Sequence, residues 1–161
     1  MSHFRDGTSY GPFGGSRRGR LLLVKRALAG GYELDDDRAR LDREAIHGYV
    51  GGVSYWAQGR TRERQDELID ASAHVVGLYD ERGVQVGFAR AVDCDAAGFV
   101  YLADVYVLDE HRGRGLGVEL VREIVENGPL AGRTWVLHTR DAHSLYEKFG
   151  FAPHPRLMQR R

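Results

Sequence analysis

The chain has 161 residues, of which 42% are hydrophobic, with 23 basic residues balanced by 23 acidic ones and a single cysteine, Cys94. This length suits one domain, and the apolar content argues against wholesale disorder. A formal net charge of zero argues against nucleic-acid binding through bulk positive charge and against a polybasic membrane anchor. One cysteine rules out an internal disulfide, and no apolar run approaches a membrane-spanning length.

Residues 1–30 read as a flexible or loosely packed extension, rich in Gly, Ser and Arg at first and without apolar periodicity. Residues 31–161 read as one domain. After Gly30-Gly31, Tyr32-Glu33-Leu34 suggests a short strand. Asp42 is a plausible cap for a helix over 43–50, where Ala45, Ile46 and Tyr49 recur at helical spacing. Gly51-Gly52 ends it, Ser54-Tyr55-Trp56 falls in a loop or broken helix, and 62–71 reads as a solvated helix. The period then changes. Strands are expected over 74–80, 85–93 and 99–108, joined by short turns, which makes an antiparallel meander. A helix follows Gly117, with Leu120, Val121, Ile124 and Val125 on one face and Glu119, Arg122, Glu123 and Glu126 on the other. A strand over 134–138, a short helix over 142–149 and a last strand after Gly150-Phe151 complete the series. A strand–helix–strand crossover of this length implies parallel pairing, so the expected fold is α/β with a mixed sheet.

Arg112-Gly113-Arg114-Gly115-Leu116-Gly117 joins the longest strand to the amphipathic helix. Alternate glycines let successive backbone N–H groups converge, and the helix start adds its own unpaired donors. Such a turn can cradle a phosphate or diphosphate, with Arg112 and Arg114 supplementing the charge. It is not a Rossmann fingerprint, because the third glycine comes one position early, and the Lys-Ser/Thr of a Walker loop is absent.

Arg112-x-x-Gly115-x-Gly117, preceded by Val105-Tyr106-Val107-Leu108, resembles the acyl-CoA diphosphate motif of the GNAT superfamily of N-acetyltransferases. Leu145-Tyr146-Glu147-Lys148-Phe149-Gly150-Phe151 resembles that family's second motif, in the same order. The resemblance implies an acyl-CoA N-acyltransferase fold whose central strands splay apart, and acetyl-CoA as cosubstrate. It departs from the family at Thr139, where many members carry an Asn that touches the pantetheine arm.

The resemblance also distributes roles. Residues 112–117 would hold the diphosphate. A main-chain N–H among Val105, Tyr106 and Val107 would polarise the thioester carbonyl. Tyr146 would contact the cofactor and return a proton to the leaving thiolate. The amine must lose a proton, and Asp104, a carboxylate interrupting an apolar strand, is a candidate base, with a structural hydrogen bond to the strand backbone as its other reading. His138 is the second candidate. His47, Tyr49, Tyr55 and Trp56 fall where family members wall the acceptor side, with Arg140 and His143 opposite; an Arg there would suit an acceptor bearing a carboxylate or phosphonate. Cys94, between Asp93 and Asp95, is a poor nucleophile. The seven His show no metal-ligand spacing, so no metal is expected. The expected activity is direct acetyl transfer to a primary amine of a small molecule, in the cytoplasm, without nucleic acid or membrane; a homodimer is left open. The alternatives are a protein N-terminal or lysine acetyltransferase and a non-catalytic acyl-CoA sensor.

Overall fold

A computed structural model describes residues 25–155 and Met158. Six strands form one sheet in chain order: β1 (Lys25–Ala27), β2 (Glu33–Asp35), β3 (His74–Tyr79), β4 (Gln85–Cys94), β5 (Phe99–Val107) and β6 (Trp135–Val136). The first four pairings are antiparallel, and β6 lies parallel to β5. The helices are α1 (Arg43–Gly52), α2 (Arg62–Asp70), α3 (Leu116–Arg122) and α4 (His143–Tyr146). The mixed sheet, the meander and the crossover through α3 are those expected from the sequence.

The central strands β3 to β5 are largely buried on both faces because helices cover both. Val75, Phe88 and Tyr106 pack with Ile46, Val50 and Ile69 beneath α1 and α2. Their neighbours Val76, Ala89 and Val107 turn the other way, against Leu120, Val121 and Ile124 of the α3 side. Local chemistry starts the first two helices. The Asp42 carboxylate accepts from the Ala45 N–H, and the Thr61 hydroxyl accepts from the Arg64 N–H.

Four expectations need correction. An edge strand begins at Lys25, ahead of the boundary drawn at residue 31; residues 1–24 lie outside the described residues. Arg26 fastens this strand to α3 and the π-helical turn Glu123–Asn127 that extends it, donating from Nε to Glu123 at 2.6 Å and from Nη1 to Glu119 at 3.0 Å. Glu123, on the helix face that the sequence sets opposite the apolar one, is therefore buried. The strand expected over 134–138 shrinks to Trp135–Val136, and residues 151–154 form no strand. The short β6 leaves that edge of β5 without a partner beyond Tyr101, and that shortfall makes the site.

Candidate active site

β5 and β6 pair only through Val100 with Trp135 and Tyr101 with Val136. Beyond that point the two strands part. On its other edge β5 carries a bulge: Arg90 faces Ala103 and Phe88 faces Tyr106, so β5 spends one extra residue. Asp104 sits in the bulge with φ +50°, the one non-glycine residue with positive φ among those described. After the bulge, the Leu108 N–H donates to the Val86 carbonyl on the β4 side at 2.8 Å. Alternation along the strand then turns the main-chain groups of Val105 and Val107 toward the gap left by β6.

A cleft of about 850 Å³ opens at this gap. Its floor is the β5 run of Asp104, Val105, Tyr106 and Val107, and one end is formed by Arg112, Gly113, Gly115, Leu116 and Gly117. Thr139, His138 and Tyr146 approach from the β6 side, and Tyr49, Tyr55, Trp56 and Arg140 complete the walls. Most of the residues expected at a site thus share one cavity.

The loop end is made of main chain. Gly113 and Gly115 have φ of 75° and 76°, a region that strains residues with a Cβ, and a Cβ at either would meet nothing within 4 Å. The N–H groups of residues 113–117 have no hydrogen-bond acceptor among the described residues, whereas Val118 and Glu119 already donate to the Gly115 carbonyl. Five successive free amides at the start of a helix form a nest that fits a diphosphate. Arg112 holds the loop in place: its Nε donates to the Val107 carbonyl at 3.0 Å and its Nη2 to the Tyr49 hydroxyl at 2.8 Å. Tyr49 in turn stacks on Tyr106 with ring centroids 4.1 Å apart.

The opposite end is made of side chains from distant segments. The Asp104 carboxylate accepts from Arg90 Nε at 2.6 Å, Arg60 Nη1 at 2.7 Å, Trp56 Nε1 at 3.2 Å and Gln65 Nε2 at 3.4 Å. Burial pushes its pKa up, but the Arg90 and Arg60 guanidiniums outweigh that and hold it below the ordinary carboxylate value. The sequence offers a bond to the strand backbone as the structural alternative. The partners found are side chains instead, and they tie β4, α2 and the loop after α1 to the bulge.

On the β6 side, the Tyr101 hydroxyl and His138 Nδ1 are 2.8 Å apart, which orients the ring. Tyr146 packs edge-on to Phe151, and its hydroxyl makes no hydrogen bond among the described residues. Burial pushes its pKa up to about 12. The Thr139 hydroxyl accepts from the Ala142 N–H at 3.0 Å and so shapes the start of α4. The Arg140 guanidinium lies 3.8 Å over the Tyr55 ring, and the Arg140 N–H donates to the Tyr55 hydroxyl, closing the wall above the gap.

Three expected contributors lie elsewhere. His47 faces away from the cleft, its Nε2 2.9 Å from the Arg60 carbonyl, because its place on α1 turns it toward the segment leading into α2. Arg114 is exposed and does not line the cleft, and His143 lines a neighbouring cavity shared with Tyr146. Arg60, Gln65 and Arg90 were not foreseen. Their signal is weak in sequence: an Arg in a strand otherwise read as apolar, and two polar residues near a solvated helix. Among the described residues no group of His, Cys, Asp and Glu is placed to hold a metal ion, and no helix is long and apolar enough to cross a membrane.

Comparison with known proteins agrees with this geometry. The profile of the GNAT acetyltransferase domain matches residues 71–153, a stretch that runs from β3 through the loop to Tyr146 and beyond. A crystal structure of a GNAT-family protein from Xanthomonas campestris is 36% identical, with a TM-score of 0.73 over 81% of this chain and 92% of that one. A Deinococcus radiodurans structure described as a candidate acetyltransferase superposes with a TM-score of 0.63 at 22% identity, over 86% of this chain and 94% of that one. A Gibberella zeae protein described in the same terms is 29% identical over 75% of this chain and 79% of its own length. That profile covers more than half of the chain, and the Xanthomonas campestris relative spans most of it, so the chain belongs to the GNAT family of acetyltransferases.

Proposed function

We propose that the protein transfers an acetyl group from acetyl-CoA directly to a primary amine of a small molecule. The observation that carries this reading is the row of unpaired amides at 113–117 opening on the same cleft as the bared edge of β5 and the Tyr146 hydroxyl. The loop amides would hold the diphosphate. The Val105 and Val107 main chain, turned toward the gap, would carry the pantetheine arm, and the Val105 N–H would stabilise the negative charge that develops on the thioester oxygen. The amine nitrogen bonds to the carbonyl carbon as the carbon–sulfur bond breaks.

Two protons have to move. Asp104 is already engaged by two guanidiniums, so we assign it as a positioning residue rather than the base. His138, in the tautomer whose Nδ1–H donates to the Tyr101 oxygen, presents Nε2 to take the proton from the amine. Tyr146 returns a proton to the thiolate, and its raised pKa of about 12 keeps that proton in place at neutral pH.

The test has two arms. At about 100 times its dissociation constant, acetyl-CoA should stabilise the fold by roughly 2.7 kcal/mol. A panel of amines should then release free thiol from acetyl-CoA. Stabilisation without thiol release from any amine would replace the enzyme by an acyl-CoA sensor, and neither effect would remove the reading altogether.

A further inference from the structure

The Asp104 end of the cleft has more positive charge than its carboxylate can absorb. Arg60 and Arg90 both converge on one Asp104 oxygen, Oδ2. The Arg90 side chain is 6% exposed and that of Asp104 is 2% exposed, so neither charge is dissipated in bulk water. The donors are not used up. Among the described residues Arg90 Nη1 has no hydrogen-bond partner and is sealed from solvent, so Arg90 adds charge rather than a free donor, whereas the Arg60 side chain, 18% exposed, directs only Nη1 at acceptors among the described residues, Asp104 and Gln65. A buried guanidinium nitrogen with no acceptor is costly, and a planar fork of N–H groups is matched best by a carboxylate or phosphate. Gln65, itself fully buried, holds Arg60 at 2.8 Å, so the arrangement is built rather than incidental to a surface side chain.

We propose that Arg60, backed by the charge of Arg90, is the anchor for an anionic oxygen group, carboxylate or phosphate, carried by the same acceptor molecule that presents the amine. This deepens the acetyl-transfer reading and rests on it. The surplus cation repels an ammonium and attracts the acceptor's other end, which fixes the molecule's orientation. It also favours the neutral form of an amine held nearby, the form that attacks. A lysine side chain or a polyamine, with no anion close to its nitrogen, meets only the unfavourable half of this field.

The experiment uses the full chain loaded with CoA, whose binding is measured first; failure of CoA to bind strikes the acetyl-transfer reading itself. Glycine, glutamate, phenylalanine and O-phosphoethanolamine are then titrated beside glycinamide, glutamate diamide, phenylalaninamide and ethanolamine at fixed ionic strength. The tightest anionic member should bind roughly tenfold or more tighter than its neutral counterpart. The carboxylate and phosphate pairs separate the two anion types. In Arg60→Gln that ratio should collapse toward one, with CoA affinity reporting that the variant is folded. Arg90→Gln should do the same, and the wild-type ratio stands as a test even if that variant fails to fold. Equal binding of the paired compounds to the wild-type protein, or no binding by any anionic member, overturns the proposal.

Discussion

The two ends of the cleft are built from different materials. The loop end is main chain: the amides of 113–117, positive-φ glycines and the unpaired edge of β5. The other end is side chain: Trp56 and Arg60 of the loop after α1, Gln65 of α2 and Arg90 of β4, gathered on Asp104. A main-chain site reads charge and shape and tolerates many side chains around it. A side-chain site reads one acceptor chemistry and changes with each substitution. On the proposed reading the main-chain end takes the cosubstrate and the side-chain end the acceptor, and Tyr146 and His138 line the same cleft.

That contrast can be broken at several points. The largest effect should come from Tyr146→Phe, which removes the proposed general acid and keeps the ring packed on Phe151. Turnover should fall about 10²–10⁴-fold with CoA affinity retained, as steady-state rates and calorimetry would report. A parallel loss of CoA binding would mean that Tyr146 serves the main-chain end instead.

Asp104→Asn tests the side-chain end. The amide keeps the shape but leaves two guanidiniums facing no carboxylate, and breaking such a buried pair costs about 3–5 kcal/mol. Denaturant unfolding should show that loss. The pH dependence has a definite sign. Because the folded pKa of Asp104 is depressed, its contribution is present above the unfolded value and is lost as pH falls through the folded one. Acid unfolding of wild type should therefore be steeper than that of Asp104→Asn.

Gly115→Val sharpens the picture of the main-chain end. A β-branched residue at φ 76° adds about 1–3 kcal/mol of strain and pushes a side chain into the nest. CoA affinity should drop roughly tenfold or more, with little change in selectivity among acceptors. The smallest effect belongs to Arg140→Ala. Its guanidinium is largely exposed above Tyr55, so its stacking is worth about 0.5–1 kcal/mol, and acceptor KM should rise a few-fold with kcat nearly unchanged.

The same contrast explains what could be read in advance. The glycine spacing of 113–117, the apolar run of β5 and the helix carrying Tyr146 are local patterns, and each formed where the sequence placed it. Asp104 stood out as a charge in an apolar strand, yet its partners lie up to 48 residues away, at Trp56, and no periodicity points to them. His47 misled because an aromatic-rich segment has the right composition without the right helical face. The edge strand at Lys25 escaped notice because three residues carry too little pattern, and with it went the reason for burying Glu123.

Local chemistry in the sequence determined the order of strands and helices, the turn that leaves amides unpaired and the residues able to donate or accept protons. Backbone preference and apolar period act over a few residues, so these features survive without knowledge of the fold. Only the tertiary structure decided that β6 stops after two residues and so bares one edge of β5, that a bulge forms on the other edge and that two arginines share one carboxylate. Those outcomes depend on which distant groups meet in a low-dielectric interior, where pairing, and the charge left over from it, is set by position in space.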